Sequence, residues 1–328
     1  MITEIDQARL LAGDLLTLSR AITLVESTRP DHRRKALELI NAIYPHRKEA
    51  IRIGITGIPG VGKSTFIERF GQLVIEQGYK VAVLAVDPSS LQSGGSILGD
   101  KTRMEELSKE PNAFIRPSPS SGTLGGVAAR TRETMLLCEA AGFDVIIIET
   151  VGVGQSETEV INITDSFIML AMPGTGDDLQ GIKRGIMEAA DIIVINKADG
   201  NNLQPANQAK KQLEMALHLF PASPSGWDTK VITASALEGK GVKRTWDLIG
   251  EMHRTLRDNG QLEQRRSKQQ ARAFEKLTEL SIYEYVLQQL GKTTDTHRLK
   301  TAVADGKKNE YEASLELLEA LSELSRDQ

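Results

Sequence analysis

The sequence predicts an α/β fold in which helices cover both faces of a doubly wound, mostly parallel sheet. Two observations predict it. Short apolar runs rich in Val and Ile alternate with stretches of helical periodicity, as in successive strand–helix–strand units. The runs also show little polar alternation, which is typical of strands buried on both faces. The predicted strands are 51–56, 80–86, 113–116, 144–149, 166–172, 191–196 and 230–234.

Helical segments flank the predicted sheet. Apolar residues recur at helical spacing through the first 50 residues, where Pro30 separates two predicted helices and Pro45 ends the second. Strand signals stop after Asn259-Gly260, and a polar helical stretch at 261–290 and a last helix at 309–324 follow. The sequence therefore predicts an N-terminal helical extension (1–50), a sheet domain (51–259) and a C-terminal helical arm (260–328).

Composition excludes several classes of protein. A net charge of -4 argues against a nucleic-acid binder with a basic face. The single cysteine, Cys138, allows no intrachain disulfide, which fits a reducing compartment. The five histidines lack metal-ligand spacing, so no zinc site is expected. With no signal-peptide pattern and no apolar run of about 20 residues, we expect a soluble, cytoplasmic protein that binds no membrane.

The most specific motif is GIPGVGKS at residues 57–64, which matches G-x-x-x-x-G-K-[ST] in full. It follows the first predicted strand and precedes a helix, as a phosphate-binding P-loop requires. Glycines let the loop wrap a phosphate, and the helix N-terminus adds positive potential. Lys63 is predicted to reach the β- and γ-phosphates and to act in catalysis, and Ser64 to ligate magnesium. The predicted phosphate-binding residues are Gly57, Ile58, Pro59, Gly60, Val61, Gly62, Lys63, Ser64 and Thr65.

Three acidic residues are candidates for a magnesium shell. Glu149 ends an apolar strand and begins an E-x-x-G segment, the form of a strand whose acid holds magnesium directly or through water. Asp87 follows another strand and could reach the metal or the attacking water, and Asp100 lies in a Gly-rich loop. The alternatives are a solvated acid at a strand end for Glu149 and ordinary loop or helix-capping acids for Asp87 and Asp100.

Two later segments predict that the base is guanine. Asn196, Lys197 and Asp199 form N-K-x-D directly after a buried strand. A carboxylate there can accept hydrogen bonds from guanine N1–H and N2, a donor pair that adenine lacks. The last predicted strand leads into Ser235, Ala236 and Leu237, an S-A-x loop whose amide contacts the guanine carbonyl in GTPases. Together the loops favour GTP and GDP over adenine nucleotides.

Four further segments of the sequence resemble a known family. The segments at 86–90 (VDPSS), 94–104, 149–159 (ETVGVGQSETE) and 176–183 (GDDLQGIK) are similar to the MeaB/ArgK/MMAA group of SIMIBI-class GTPases. The resemblance covers residues 20–260 closely and the flanking helices loosely. It implies a G-protein chaperone of an adenosylcobalamin-dependent acyl-CoA mutase, above all methylmalonyl-CoA mutase, which gates cofactor loading and protects the mutase.

The resemblance also implies particular roles. Asp87, Asp100 and Glu149 would belong to the magnesium and switch shell, and the C-terminal helices would form a homodimer. Asp177, Gln180 and Lys183 look like the family's extra switch, although Asp177-Asp178 alone reads as a helix N-cap.

Turnover is expected to be slow. Ras-like GTPases carry a Gln that orients water directly after the segment that corresponds to E-x-x-G. The present chain has Val153 at that position, and Gln155 lies two residues further on. We expect a partner that orders the switches to accelerate hydrolysis. Arg103, Arg116 and Arg130 are conceivable stabilisers of charge, although each is better explained as a surface or packing arginine.

Two other functions remain open. A P-loop kinase of the arginine/ornithine transport-system type would need an acceptor pocket with its own base and usually ATP, which the two base loops disfavour. A metal-insertion GTPase would normally carry His- or Cys-rich segments, which this sequence lacks.

Overall fold

The structure, a computed structural model, describes residues 5–27, 29–87, 104–119, 124–150, 156–173, 184–221, 223–290 and 296–324. The described part forms one seven-stranded sheet in the order β3-β2-β4-β1-β5-β6-β7, and every strand pairing is parallel. The predicted fold class is confirmed. The strands are β1 (Ile51–Gly57), β2 (Val81–Asp87), β3 (Ala113–Pro119), β4 (Val145–Thr150), β5 (Ser166–Ala171), β6 (Ile192–Ile195) and β7 (Lys230–Thr233).

Twelve α-helices lie within the described residues. They are α1 (Gln7–Leu11), α2 (Leu15–Glu26), α3 (Pro30–Ile43), α4 (Lys63–Glu76), α5 (Leu124–Ala140), α6 (Ser156–Ile161), α7 (Arg184–Ala189), α8 (Leu203–Leu217), α9 (Val242–Asp258), α10 (Gln261–Leu290), α11 (Thr296–Ala304) and α12 (Glu310–Leu324).

Residues on alternate sides of each strand build two separate hydrophobic layers. On β4, Ile146 and Ile148 belong to the layer under α2, α3 and α5, whereas Val145 and Ile147 belong to the layer under α4 and α9. Period-two alternation sends successive side chains to opposite faces, so both faces must be apolar when helices cover both. All six residues of β4 are buried, which explains its unbroken apolar sequence.

The N-terminal region has three helices rather than the two predicted. The break falls at Gly13-Asp14, where Gly13 takes a left-handed φ of 82°. The Asp14 carboxylate then accepts from the Thr17 amide at 2.8 Å and caps the start of α2. Because the apolar periodicity continues across this break, the spacing alone predicts one helix where the structure has two.

The chain divides into two compact units, Met1–Gln269 and Gln270–Gln328. The first contains the sheet and helices α1–α9. The second contains α11, which the sequence analysis missed, and α12, whose start is capped by the Asn309 side chain accepting from the Glu312 amide at 2.8 Å. The three-part division at residues 50 and 259 stays a prediction.

The start of α10, within the first unit, is fastened to the amino-terminal edge of the sheet. Arg266 makes two hydrogen bonds with the fully buried Asp165 carboxylate, from Nε to Oδ1 at 2.9 Å and from Nη2 to Oδ2 at 2.6 Å. Three residues on, Gln269 Nε2 donates to the Thr164 carbonyl at 2.7 Å. These contacts lie at the strand edge opposite the loops that carry the sequence motifs.

Candidate nucleotide-binding site

The P-loop joins the central strand β1 to α4, as predicted. Gly60 and Gly62 have φ values of 81° and 88°, in the left-handed region that glycine tolerates best. Gly62 is the N-cap of α4, and no side chain caps that helix start. The first-turn amides are therefore left for a ligand, and they lie where the helix dipole favours an anion. Ser64 is half-buried in this turn, and Thr65 is exposed.

Lys63 is buried and points back along the loop. Its Nζ donates to the carbonyl oxygen of Gly57 at 2.7 Å and approaches that of Ile58 at 3.4 Å. These carbonyls hold the ammonium inside the loop, where its charge can meet a bound phosphate.

Asn196 links the P-loop to the S-A-L loop. Its Nδ2 donates to the Val61 carbonyl at 2.9 Å, and its Oδ1 accepts from the Ala236 amide at 3.1 Å. The side chain is only 1% exposed. Sequence reasoning placed Asn196 at the base, but the structure shows that its amide joins two protein loops across long separations in the chain.

Asp199 and Ser235 form the second contact in this region. Ser235 Oγ donates to an Asp199 carboxylate oxygen at 2.5 Å and accepts from the Glu238 amide at 3.1 Å. Ser235 is fully buried, so it can fix the direction of the half-buried carboxylate. The sequence analysis missed this contact, because the two residues lie 36 positions apart and no local spacing pattern connects them.

Lys197 and Leu237 border this pair. Lys197 is exposed and adopts a left-handed φ of 59°, unusual for a residue with a side chain. Leu237 leaves 76% of its surface exposed. An exposed lysine stem and an exposed leucine in these two loops can supply apolar contact to a planar base.

Glu149 reaches the same edge of the sheet. It is 6% exposed and pairs in register with Ile55 of β1, two residues before the P-loop begins. The next residue on each strand adds a side-chain contact, in which Thr150 Oγ1 donates to Thr56 Oγ1 at 2.8 Å. The strand that carries the predicted magnesium ligand is therefore tied to the strand that carries the P-loop.

Several predicted site residues have side chains outside the described part of the structure. The backbone of Asp87 pairs with Pro119 at the end of β2, but its side chain is outside the description. Asp100, Asp177, Gln180 and Lys183 all lie outside the described residues, as do Arg103, Val153 and Gln155.

The two described candidate arginines serve packing. Arg116 Nη2 pairs with the Glu26 carboxylate, and Arg130 donates to the Glu26 carbonyl. Both hold the end of α2 against the rest of the first unit. The structure thus gives both residues packing contacts, in the role that the sequence analysis favoured for them.

In the described part of the chain, no group of three His, Cys, Asp or Glu side chains gathers into a metal-binding cluster. None of the helices described there combines the length and the apolar character that crossing a bilayer requires.

The chain is similar to a family of GTPases over most of its length. A family model described as "Methylmalonyl Co-A mutase-associated GTPase MeaB" matches residues 18–290. The chain is 56% identical over 258 residues to a probable GTPase of Mycobacterium bovis, covering 79% of this chain and 77% of that protein. It is 52% identical over 278 residues to GTPase ArgK of Escherichia coli, covering 85% and 84% respectively.

Two further similarities extend the comparison. The methylmalonic aciduria type A homolog, mitochondrial, of Mus musculus is 48% identical over 270 residues, covering 79% of this chain and 65% of that protein. A solved structure described as LAO/AO transport system kinase superposes with a TM-score of 0.73 at 40% identity, over 96% of both chains.

Proposed function

The chain belongs to the MeaB family of methylmalonyl-CoA mutase-associated GTPases, and we propose that it regulates an adenosylcobalamin-dependent acyl-CoA mutase. It hydrolyses GTP, with Mg²⁺, to GDP and phosphate. Methylmalonyl-CoA mutase is the proposed client, and the proposed role is to gate loading of its cofactor and to protect it. Two hydrogen bonds together carry the guanine-nucleotide part. Asn196 donates to the Val61 carbonyl and joins the P-loop to the N-K-x-D loop, and Ser235 donates to Asp199 and joins the two base loops.

Guanine recognition follows from the Asp199 carboxylate. The Ser235 hydroxyl donates to one oxygen of this carboxylate, which uses one lone pair of that oxygen and fixes the plane of the carboxylate. The remaining lone pairs can accept from N1–H and N2 of guanine, and adenine would leave them unpaired.

The magnesium site would draw on Ser64, Asp87, Asp100 and Glu149. The donor chemistry fits, because a hydroxyl and carboxylates are hard oxygen ligands that Mg²⁺ prefers. Of these four, Ser64 and Glu149 have described side chains, on the first turn of α4 and at the end of the adjacent strand β4. When bound, the ion would neutralise charge on the β- and γ-phosphates.

Hydrolysis needs a water molecule in line with the bond between the γ-phosphorus and its bridging oxygen. Attack forms a new phosphorus–oxygen bond and releases GDP as the leaving group. Lys63 would hold the β- and γ-phosphates, since its ammonium is already fixed inside the P-loop. No Gln occupies the usual water-orienting position, where the chain has Val153. We therefore propose slow intrinsic turnover that a partner accelerates, with Asp177, Gln180 and Lys183 reporting the nucleotide state.

A homodimer through the second unit is part of the proposal. Large apolar residues stand exposed on α10 and α12 in the single chain. Monomers rarely leave so many large apolar side chains exposed without a partner surface. The exposed residues are Phe274, Ile282, Tyr283, Tyr285, Tyr311, Leu315 and Leu318. Sedimentation of the wild type beside F274E/Y285E tests this, because the double variant should sediment as a monomer.

The kinase alternative has one observation in its favour, the description of a similar solved structure as a transport system kinase. Against it, the relatives of this chain include proteins named as GTPases. The two guanine-type loops are also held together here by two hydrogen-bonded contacts. The geometry supports guanine nucleotide more directly than ATP.

The first experiment is a hydrolysis assay with the purified full chain. GTP and ATP are compared, each alone and with the adenosylcobalamin-dependent mutase of the same cell. We expect a GTP-specific rate that rises when the mutase is added. K63A should abolish the rate, whereas K211A, which changes an exposed lysine on α8, should not. An unchanged rate with no complex in gel filtration in any nucleotide state would remove the proposed client. Equal use of ATP would instead favour the kinase.

A further inference from the structure

We propose that Thr56 and Thr150 form a positioning pair that aligns the Glu149 strand end with the P-loop for GTP hydrolysis. This inference rests on the proposed role of Glu149 in the magnesium shell, and it is independent of the mutase. Neither threonine is proposed to contact the nucleotide. The function lies in their mutual hydrogen bond, from Thr150 Oγ1 to Thr56 Oγ1 at 2.8 Å.

The pair stands where the backbone ladder between two strands ends. The register of β1 with β4 runs from Ile51 and Val145 to Ile55 and Glu149, and stops there. Beyond that point β1 continues in register only with β5, through Thr56 and Gly57. The hydroxyl bond therefore acts as one further rung, made by side chains, after the last backbone pair of β1 and β4.

Each threonine is the direct neighbour of a proposed functional residue. Thr56 precedes Gly57, the first residue of the P-loop, and Thr150 follows Glu149 as the second residue of the E-x-x-G segment. A bond between them fixes the separation of the two strand ends from which the phosphate loop and the metal carboxylate extend. Catalysis by positioning is sensitive to displacements of about 1 Å.

The surroundings make this bond hard to replace. Thr56 is 1% exposed and Thr150 is fully buried, so water has no surface at which to compete. The same face of β1 is tightly covered two residues earlier, where a Cβ on Gly54 would meet Val160 of α6 at 2.7 Å. A hydrogen bond in such a site holds its partners in one geometry, and losing one partner leaves the other unsatisfied.

The functional consequence is selective. GDP binding depends mainly on the P-loop, Asn196 and Asp199. The hydrogen bonds from Lys63 to Gly57, from Asn196 to Val61 and from Ser235 to Asp199 involve neither threonine. Hydrolysis needs Glu149 in register with the P-loop. Breaking the pair should therefore slow the chemical step and weaken Mg²⁺ binding while leaving GDP affinity intact.

The test compares T150V, T56V and the rescue variant T150S in the full chain. Valine has the shape of threonine without the hydroxyl, and serine restores the hydroxyl. The matched control is T134V, because Thr134 on α5 is equally buried and its hydroxyl has no hydrogen-bond partner among the described residues. Each variant is measured for single-turnover GTP hydrolysis, for the Mg²⁺ concentration at half-maximal rate, for GDP affinity in EDTA and for melting temperature.

We expect T150V and T56V to slow single-turnover hydrolysis by about tenfold, equivalent to about 1.4 kcal/mol of activation free energy. Half-maximal rate should need several-fold more Mg²⁺, with GDP affinity in EDTA within about twofold of wild type. T150S should recover most of the rate, and the double variant should be no slower than either single one. The inference is overturned if T150V behaves like T134V, or if GDP affinity falls as much as the rate. A wild-type rate that does not depend on Mg²⁺ would also overturn it, because the inference rests on Glu149 belonging to the magnesium shell. Failure of mutase stimulation would affect only the proposed client.

Discussion

The Nδ2 of Asn196 donates a hydrogen bond to the carbonyl oxygen of Val61 at 2.9 Å. The two residues lie 135 positions apart in the chain and belong to different loops at the carboxyl edge of the sheet. Through Ala236 the same side chain also holds the S-A-L loop. The proposed phosphate loop and the proposed base loops therefore form one connected unit, and this gives the first prediction.

Replacing Asn196 by Ala should weaken both GDP and GTP binding by about 100-fold. The change leaves the Val61 carbonyl and the Ala236 amide without their buried partner, and each such loss costs about 1–3 kcal/mol. Calorimetric titration with GDP measures the effect. N202A is the control, because Asn202 is exposed and its side chain makes no capping hydrogen bond at the start of α8. Near-wild-type GDP affinity in N196A would show that the loops hold together without this amide.

Two glycines of nearly equal backbone conformation should respond differently to alanine. Gly62 has φ 88° and Gly78 has φ 90°, so each substitution brings a similar strain of about 1–2 kcal/mol. A Cβ on Gly62 would lie 2.9 Å from Asn196 Nδ2, whereas one on Gly78 meets nothing within 4 Å. We expect similar melting temperatures for both variants but loss of nucleotide binding in G62A alone. Equal GDP affinity in the two variants would contradict the close packing of the P-loop on Asn196.

Asp199→Asn should exchange guanine for xanthine. The asparagine amide replaces one acceptor by a donor, which mismatches guanine N1–H and N2 but suits the xanthine 2-carbonyl. GTP affinity should fall at least about 100-fold, and hydrolysis of XTP should appear. Competition between the two nucleotides measures this, with D258N, an exposed carboxylate on α9, as the control. S235A should weaken GTP binding more modestly, because it removes only the 2.5 Å hydrogen bond that orients the carboxylate. A D199N protein that still prefers GTP would refute the assignment of the base site.

His253 should make the protein less stable as the pH falls below about 6.5. Burial lowers the pKa of His253, and the charges of Arg266, Arg257 and Arg265 lower it further, although Asp165 opposes them. The unfolded chain then binds more protons than the folded one between the folded pKa and about 6.5. The free energy of unfolding should therefore decrease with falling pH, by at most about 1.4 kcal/mol per pH unit from this group. Urea titrations at a series of pH values measure it.

The H253Q variant should flatten this slope, because glutamine does not titrate. H218Q, which changes an exposed histidine, should leave the slope as it is in the wild type. Identical slopes for the wild type and H253Q would mean that another group governs stability in this range.

The sheet could be predicted closely from the sequence. All seven predicted strands exist, and strand β4, predicted at 144–149, runs from Val145 to Thr150. Buried parallel strands must be apolar on both faces, so their runs are visible without any tertiary information. The break at Gly13-Asp14 and the helix α11 were less visible, since helical periodicity does not by itself mark where a helix stops.

The sequence by itself determined the strands, the P-loop and the two base loops, because each depends on residues close together in the chain. Local spacing is enough to specify a glycine turn, a buried strand or a strand-end acid. Only the tertiary structure decided that Asn196 holds Val61, that Ser235 orients Asp199 and that Thr150 bonds Thr56. These pairs are separated by 36 to 135 residues, and they meet because parallel pairing brings the carboxyl ends of β1, β4, β6 and β7 to one edge. Strand order and register set those contacts, and neither is written in any short stretch of the chain.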